Sequence, residues 1–142
     1  MTIREITPND AAAAAQLSAE FGYPVTDETM RARITDLQNR LDHAIFVACI
    51  DNAAVGWIDV CVANHLVSEP YGEIGGFVVS QKYRSAGIGR HLIARAEAWM
   101  RERGVKRALV RSRISRDAAH RFYLREGYAQ VKTSVVFEKQ LS

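Results

Sequence analysis

The segment that most limits the possible folds runs from Gly72 to Arg111. It contains a β-rich run, a loop with two glycines, an amphipathic pattern and a second β-rich run. Apolar residues at helical spacing predict a helix over Ile88–Arg103, which Gly104 ends. Two strands joined through one helix form a βαβ unit, in which the strands are parallel and the crossover is right-handed. The chain is therefore expected to form a sheet with at least two parallel strands.

Two helical segments are predicted before this unit, after a short first strand at Ile3–Ile6. Thr7-Pro8 is typical of a first helical turn, and Gly22 ends that helix near Phe21. Thr26 caps the second helix. Its apolar face is predicted to contain Met30, Ile34, Leu37 and Leu41.

Two β-rich runs, Ala44–Ile50 and Ala54–Val62, are separated by Asp51-Asn52, and this spacing predicts an antiparallel hairpin. After the βαβ unit, a short helix is predicted over Asp117–Glu126 and a final strand over Val131–Lys139. The predicted order is β-α-α-β-β-β-α-β-α-β. The fold class is therefore α/β with a mixed sheet.

Composition is that of an ordinary globular protein. The 142 residues fit one domain, 1–142, and a net charge of +3 without a Lys/Arg run gives no support for nucleic-acid binding. No apolar run approaches the roughly 20 residues of a membrane span, and the first residues show no signal sequence, so a cytoplasmic location is expected.

Cys49 and Cys61 are predicted to be buried free thiols. The four histidines show no metal-binding spacing and are predicted to lie on the surface or on helix faces.

The loop after Val79 has the residues of a phosphate site. Arg84, Gly87 and Gly89 follow the spacing Arg-x-x-Gly-x-Gly where a strand is joined to a helix. Glycine lets the backbone approach an oxyanion, and a helix start presents unpaired N–H groups with a positive dipole end. The loop has neither the Gly-Lys-Ser/Thr of a P-loop nor the third glycine of a dinucleotide fold. A tight turn without a ligand is the alternative.

This stretch resembles motif A of the GNAT superfamily of N-acetyltransferases, in which a Gln/Arg-x-x-Gly-x-Gly/Ala loop follows a strand and holds the pyrophosphate of coenzyme A. The resemblance implies acetyl-CoA as cosubstrate and a mixed sheet of about six or seven strands with about four helices, splayed between the fourth and fifth strands. It also implies that Val78 and Val79 pair with the pantetheine arm as an added strand would. The residues assigned to cofactor binding are Phe77, Val78, Val79, Arg84, Ser85, Ala86, Gly87, Ile88, Gly89, Arg90 and Tyr123.

A second stretch, Ala119–Tyr128, resembles motif B of the same superfamily and is very close to the matching run of aminoalkylphosphonate N-acetyltransferases. In many members the tyrosine at the position of Tyr123 protonates the departing thiolate of coenzyme A, so Tyr123 is the predicted catalytic acid. A buried aromatic with a satisfied hydroxyl is the alternative. Many members carry asparagine at the position of Arg116, and no role is assigned to this arginine.

Glu73 is the predicted general base, because histone-type members carry a catalytic glutamate at the same distance before the loop. On a regular strand Glu73 shares one face with Phe77 and Val79, so its carboxylate is expected on the side where the N–H of Val79 polarises the acetyl carbonyl. A solvated strand-end position is the alternative for Glu73. Cys61 has no evident base partner in the sequence, so a covalent intermediate on its thiol is rejected. Further candidate bases are Asp59, His65 and Glu69.

In the superfamily the acceptor pocket is formed by the first two helices, their connection and the loop before the motif A strand. These segments correspond here to residues 21–26 and 64–71. Carboxylates and aromatic rings within and beside them suit a cationic amine. The residues predicted to bind the acceptor are Phe21, Tyr23, His65, Glu69 and Tyr71.

Together these features predict an acetyl-CoA-dependent N-acetyltransferase that modifies a primary amine of a small molecule by direct attack in a ternary complex. A non-catalytic acyl-CoA sensor and a protein or peptide N-acetyltransferase remain alternatives, since no residue pattern identifies the acceptor. The presence of both Tyr123 and Glu73 favours the enzyme over the sensor. Members are often dimers, and pairing of the predicted strand Val131–Lys139 across an interface is one route to a homodimer.

Overall fold

The computed structural model describes residues 1–142 as two compact units, Met1–Val110 and Arg111–Ser142. No helix combines the length and the apolar character that crossing a membrane requires. The second unit contains one helix, α4 (Asp117–Arg125). The elements of the first unit are β1 (Thr2–Glu5), a 3-10 turn (Pro8–Asp10), α1 (Ala11–Glu20), α2 (Asp27–Gln38), β2 (His43–Ile50), β3 (Ala53–His65), β4 (Ser68–Val79), a second 3-10 turn (Gln81–Tyr83), α3 (Ile88–Glu102) and β5 (Ala108–Val110).

The five strands form one sheet in the order β1-β2-β3-β4-β5, and neighbouring strands are antiparallel except for β4 and β5, which are parallel. The predicted βαβ unit is therefore β4-α3-β5, and the predicted hairpin is β2-β3. At the hairpin turn Asp51 and Asn52 have φ angles of 50° and 66°, the left-handed backbone that a two-residue hairpin turn favours. The prediction of a mixed α/β sheet is confirmed.

The sheet buries each face against different helices. Phe46, Ile58 and Val60 lie on the face toward α3, which we call the α3 face, and Arg95 of α3 stacks on the Phe46 ring at 4.3 Å. Burying an aliphatic or aromatic side chain stabilises the fold by about 1.5–3 kcal/mol. We call the other side the α1/α2 face. Its core contains Ile6, Ala11, Ala14, Ile34, Ile45, Val47 and Cys49.

The second helix begins where the sequence predicts and ends earlier than its apolar pattern suggests. The Thr26 hydroxyl accepts a 3.0 Å hydrogen bond from the Thr29 N–H, as expected of an N-cap. Ile34 is buried, but Leu41 is 90% exposed. Placing Leu41 on the apolar helical face was wrong because the helix ends at Gln38, one turn before that residue.

The segment 64–71, predicted as a loop, is the tip of a long hairpin. β3 continues to His65 and β4 starts at Ser68, so only Leu66 and Val67 lie between the two strands. His65 pairs with Ser68, and Ala63 pairs with Tyr71. Cross-strand hydrogen bonds thus extend β structure through residues whose composition resembles a loop.

The predicted strand count of six to seven is too high, because the sheet has five strands. The predicted strand Val131–Lys139 is not a strand in the second unit. A strand is stabilised by hydrogen bonds to a neighbouring strand. The unit Arg111–Ser142 contains only a helix, so it offers this segment no such neighbour.

Asp10, in the turn before α1, binds Arg4 of β1 through its carboxylate. We expect Asp10→Asn to lower the free energy of unfolding by about 1–3 kcal/mol at neutral pH. Its carboxylate accepts two 2.8 Å hydrogen bonds from Arg4 and one from the Thr7 N–H. The Arg4 guanidinium holds the pKa of Asp10 below its usual value. The carboxylate therefore stabilises the fold fully above its unfolded pKa, and this stabilisation is lost as the pH falls through the folded pKa.

Urea unfolding at neutral pH and at about pH 3 measures this effect, since the difference between Asp10→Asn and wild type should shrink in acid. Asp36→Asn is the matched control. Its ion pair with Arg40 has side chains that are 64% and 56% exposed, and its loss should change stability by less than about 0.5 kcal/mol. Equal losses from both variants would contradict the role given to Asp10.

Candidate active site

The loop between β4 and α3 has an unusual backbone on both sides of Ala86. The Ser80 N–H donates to the Val55 carbonyl at 2.8 Å, which fixes the start of the loop against β3. Ser85 and Gly87 then have φ angles of 72° and 80°. This left-handed conformation costs a residue with a side chain more than it costs glycine, which explains the glycine at position 87.

Backbone N–H groups at the start of α3 are available to an anion. The first residues of a helix have no intrahelical acceptor, and the N–H groups of Gly87, Ile88 and Gly89 donate to no backbone carbonyl. The helix dipole adds a partial positive charge at the same place. Ala86 was expected to contribute as well, but its N–H donates to the Tyr83 carbonyl at 3.3 Å. The loop therefore presents an anion site formed mainly by the first turn of α3.

Arg84 lies in the same loop with its guanidinium 4.9 Å from the centre of the Phe21 ring. This distance allows a cation–π contact between the loop and the residue that follows α1. Phe21 was predicted to bind the acceptor, and the structure places it against the phosphate loop. Arg90 is exposed on the first turn of α3, where a second positive charge favours the same anion.

His91 is part of this loop structure, although the sequence analysis gave it no role. Its ring Nδ1 lies 2.7 Å from the carbonyl oxygen of Gly87, one helical turn earlier. The sequence did contain a signal for this contact. His91 follows Gly87, the first glycine of the motif, by four residues, and this spacing places the two on the same side of a helix.

A β-bulge in β4 changes which side chains share a face. Asp59 pairs with Gly76 and Val60 pairs with Ile74, so Gly75 has no partner in β3. An extra residue shifts the alternation of side chains in the rest of the strand by one.

The prediction that Glu73 shares a face with Phe77 and Val79 is therefore wrong. Glu73 pairs with Cys61 on the α1/α2 face, whereas Phe77 pairs with Ile58 on the α3 face. Glu73 and Val79 are also six residues apart, which corresponds to roughly 20 Å along a strand. The Glu73 carboxylate and the Val79 N–H are thus too far apart to act on one acetyl group.

β4 extends beyond β5, the strand that pairs with its outer edge. β5 pairs with β4 only at Gly72, Glu73 and Ile74, and β5 ends at Val110. From Gly75 to Val79, β3 is the one strand paired with β4. An extended ligand can add to such an edge by main-chain hydrogen bonds.

Four polar side chains lie close together on the α1/α2 face beside the bulge, and we call them the polar cluster. His43 Nε2 lies 2.5 Å from Asp59 Oδ1, with side chains 16% and 27% exposed. His43 pairs with Cys61 across β2 and β3, and Cys61 pairs with Glu73 across β3 and β4. The expectation that every histidine lies on the surface or on a helix face was wrong for His43, because the sheet register brings Asp59 to it.

The glycines of the bulge make room for this cluster. A Cβ on Gly75 would lie 3.4 Å from both carboxylate oxygens of Asp59. A Cβ on Gly76 would lie 2.8 Å from the Trp57 ring, so the indole packs directly on the backbone of β4. Asp59 and Trp57 thus border the bulge on the α1/α2 face.

Cys61 is a free, half-buried thiol, and Cys49 is a free, buried one. Burial raises the pKa of Cys61, and the charges of Glu73, Asp59 and Asp42 raise it further. A raised pKa keeps the thiol protonated, which disfavours its use as a nucleophile.

In the second unit, Tyr123 lies on α4 between two aromatic rings. The rings of Phe122 and Tyr128 contact it edge to face, with centroids 5.6 and 6.0 Å away. Burial raises the pKa of Tyr123 above the usual tyrosine value, and the positive charge of Arg116 partly opposes this shift. The hydroxyl is therefore protonated at neutral pH, as a general acid must be.

The profile of the Acetyltransferase (GNAT) family matches residues 11–128. The chain belongs to the GNAT family. It is 32% identical to the aminoglycoside N(6')-acetyltransferase type 1 of Stenotrophomonas maltophilia, over 99% of this chain and 94% of that protein. It is also 39% identical to the aminoalkylphosphonate N-acetyltransferase of Salmonella typhimurium, over 78% of this chain and 85% of the relative.

Solved structures show the same fold. The aminoglycoside acetyltransferase AAC(6')-Iy, in complex with a bisubstrate analogue of coenzyme A and acetylneamine, superposes with a TM-score of 0.86 at 18% identity, covering 98% of this chain and 97% of that chain. The GNAT fold predicted from motif A is thereby confirmed. Membership of the GNAT family also makes the chain an acyltransferase with acetyl-CoA as its cosubstrate.

Within this GNAT chain, the five residues predicted to bind the acceptor do not lie together. Phe21 contacts Arg84 at the loop, and Tyr23 is 55% exposed after α1. His65 and Tyr71 are in ring contact at 5.9 Å near the tip of the β3-β4 hairpin, where Arg107 lies 4.9 Å from the Tyr71 ring.

Glu69 lines a separate pocket of about 400 Å³ at the C-terminal end of α3. α3 has 15 residues, so this pocket lies roughly 22 Å from the phosphate loop along the helix. The other lining residues are Val62, Asn64, Pro70, Arg103, Gly104, Val105 and Lys106.

Proposed function

We propose that this GNAT enzyme transfers the acetyl group of acetyl-CoA to a primary amine of a small, cationic molecule by direct attack in a ternary complex. The observation that carries the proposal is the continuity of three features in the first unit. The anion site at the start of α3 adjoins the outer edge of β4, and this edge leads to the bulge beside the polar cluster.

The cofactor follows these features in order. The N–H groups of Gly87, Ile88 and Gly89 hold the pyrophosphate, assisted by the charge of Arg84. The pantetheine arm pairs with β4 from Val79 toward the bulge, as an added strand does. The thioester then lies beside Gly75, whose backbone is not paired with β3, and not at Val79.

The acceptor must lose protons for the reaction to proceed. An alkylammonium has a pKa near that of lysine, about 10.4, so a base must take a proton before the nitrogen attacks. Glu73 takes this proton, directly or through water, and the new C–N bond forms as the C–S bond breaks. The Tyr123 hydroxyl protonates the departing thiolate, and the second proton, which the nitrogen loses as the amide forms, restores the hydroxyl of Tyr123. Asp59, oriented by His43, is the alternative base.

The charge of the polar cluster favours a cationic acceptor. Asp59 and Glu73 lie on the same sheet face of neighbouring strands, and diagonal neighbours of this kind have Cα atoms about 7–8 Å apart. Burial raises the pKa of Cys61, and the negative charges of Glu73 and Asp59 raise it further, as expected of a site with negative potential. A molecule with two amines can place one near each carboxylate.

This arrangement distinguishes between the substrates for which the two relatives are named. An aminoglycoside carries several amines and no anion. An aminoalkylphosphonate carries one amine and an anionic phosphonate, which the same carboxylates repel. We therefore propose a polyamine-like acceptor, such as an aminoglycoside, in preference to an aminoalkylphosphonate.

Acetyl-CoA titration by calorimetry, followed by thiol release with a panel of acceptors, tests the proposal. The panel contains an aminoglycoside, a linear diamine, an aminoalkylphosphonate and a peptide with a free N-terminus. Binding with turnover on the first two supports the proposal. Turnover on the peptide alone, or binding without any turnover, would replace it with a peptide acetyltransferase or a sensor. Absence of acetyl-CoA binding would overturn it altogether.

Variants of the two carboxylates should separate their roles. We expect Glu73→Gln to lower kcat by about 10²-fold or more, because a general base contributes on this scale. Asp59→Asn should instead raise the KM for a diamine about tenfold and change the KM for a monoamine little, since about 1.4 kcal/mol of charge attraction is lost. Glu102→Gln, on the exposed last turn of α3, is the control. A larger fall in kcat for Asp59→Asn than for Glu73→Gln would make Asp59 the base.

A further inference from the structure

We infer that His91 is a positioning residue for the pyrophosphate loop. Its ring Nδ1 lies 2.7 Å from the Gly87 carbonyl oxygen and holds this peptide group in the orientation that directs the following N–H groups outward. The inference rests on the proposed function, in which this loop binds acetyl-CoA. It adds a residue outside the Arg-x-x-Gly-x-Gly motif to the machinery of the loop.

The contact requires a hydrogen on the ring nitrogen that faces Gly87. A carbonyl oxygen only accepts hydrogen bonds, so Nδ1 of His91 must carry a hydrogen and donate it to Gly87. The backbone N–H of His91 donates to the same oxygen at 3.2 Å. The Gly87 carbonyl is therefore held by two donors of one residue, and the ring supplies the shorter bond.

The loop needs such support because two of its residues have left-handed backbone. Ser85, with φ of 72°, is not glycine, and this left-handed conformation is unfavourable for a residue with a side chain. Residues 85–87 are exposed, so packing against other side chains does little to hold them. The backbone hydrogen bonds within the loop are longer than this ring bond, at 3.0 Å from the Tyr83 N–H, 3.4 Å from the Arg84 N–H and 3.3 Å from the Ala86 N–H.

Without the His91 bond, the loop would adopt other conformations before the cofactor binds. Pyrophosphate binding would then have to order the loop, and the affinity for acetyl-CoA would fall by the corresponding free energy. The thioester end of the cofactor lies along β4, so its alignment with the acceptor would not change. The expected effect is confined to cofactor affinity, with kcat unchanged.

Asparagine is a suitable conservative replacement, because this chain already contains the same type of bond. Directly after α2, the Asn39 side-chain N–H donates to the Thr35 carbonyl, four residues earlier, at 3.0 Å. His91→Asn should therefore keep the bond to Gly87 while removing the imidazole. His91→Ala removes both the bond and the ring.

The experiment compares the KM for acetyl-CoA with the KM for S-acetylpantetheine, which has the same thioester but no pyrophosphate. We expect His91→Ala to raise the KM for acetyl-CoA about tenfold, to leave the KM for S-acetylpantetheine and kcat unchanged, and His91→Asn to restore the KM for acetyl-CoA to within about threefold of wild type. Glu102→Ala, at the other end of α3, is the control, and thermal melting verifies that each variant is folded.

Four results would overturn the inference. A wild-type KM for acetyl-CoA in His91→Ala would show that the bond is not needed. Equal increases for both thioesters would indicate a general effect on α3. A defect in His91→Asn as large as in His91→Ala would assign the effect to the imidazole itself, as a direct phosphate ligand. If the wild-type protein used acetyl-CoA no better than S-acetylpantetheine, the pyrophosphate site of the proposed function would fall, and this inference with it.

Discussion

Gly87→Glu should abolish measurable acetyl-CoA binding, with an affinity loss of about 100-fold or more. The substitution places a carboxylate among the N–H groups that face the pyrophosphate. Two like charges about 4 Å apart repel by about 1 kcal/mol in bulk water and by about 4 kcal/mol at the effective dielectric constant near a protein surface. It also puts a side chain on a residue with φ of 80°, where a Cβ would lie 3.8 Å from the His91 ring. Calorimetric titration measures the loss.

Two further variants separate charge from backbone strain. Gly87→Ala introduces the strain alone and should weaken binding by about tenfold or less, since the left-handed region costs an alanine about 1 kcal/mol. Gly104→Glu places the same side chain on a residue with φ of 78°, at the opposite end of α3, where a Cβ would contact nothing within 4 Å. It should bind acetyl-CoA normally. Normal affinity in Gly87→Glu would refute the assignment of the loop to the pyrophosphate.

Tyr123→Phe should lower kcat by about 10²–10⁴-fold, the usual contribution of a general acid, with little change in the KM for acetyl-CoA. The phenyl ring keeps the edge-to-face contacts with Phe122 and Tyr128, so the variant should fold normally. Tyr128→Phe removes a hydroxyl from the adjacent ring and is the matched control. A parallel rise in KM and fall in kcat for Tyr123→Phe would indicate that Tyr123 acts through packing.

The pH profile tests the same role independently. A general acid must be protonated, so activity should fall as the pH rises through the pKa of Tyr123, which burial raises above the usual tyrosine value. Arg116 lowers this pKa, and Arg116→Ala should therefore move the alkaline fall in activity to still higher pH. If Arg116→Ala left the alkaline fall in activity at the same pH, a group other than Tyr123 would control this fall.

The phosphate loop was predictable because its signals are local. A strand, a glycine where the backbone turns left-handed and an amphipathic helix follow one another in the chain, and each depends on neighbouring residues. The same holds for the hairpin turn at Asp51-Asn52 and the N-cap at Thr26. The hydrogen bond between His91 and Gly87 is equally local, and a search for side chains four residues after the glycine would have found it.

The acceptor side was predicted less well, because it depends on how strands pair. The segment 64–71 was predicted to be a loop that joins Phe21 and Tyr23 in the acceptor pocket, whereas hydrogen bonds between β3 and β4 make it the tip of a hairpin. Asp59 was only one of several candidate bases, and His43 was predicted to lie on the surface or on a helix face. Sixteen residues separate His43 from Asp59, and only the register between β2 and β3 brings them together.

The sequence by itself determined the family, the cosubstrate and the loop at the start of α3, since these follow from residues within one strand–helix junction and from the short run around Tyr123. Tertiary structure decided the face on which Glu73 lies. A single unpaired residue, Gly75, shifts the alternation of β4, and a shift of one residue moves every following side chain to the other side of the sheet. A bulge exists only relative to a neighbouring strand, so no pattern within β4 alone could have revealed it.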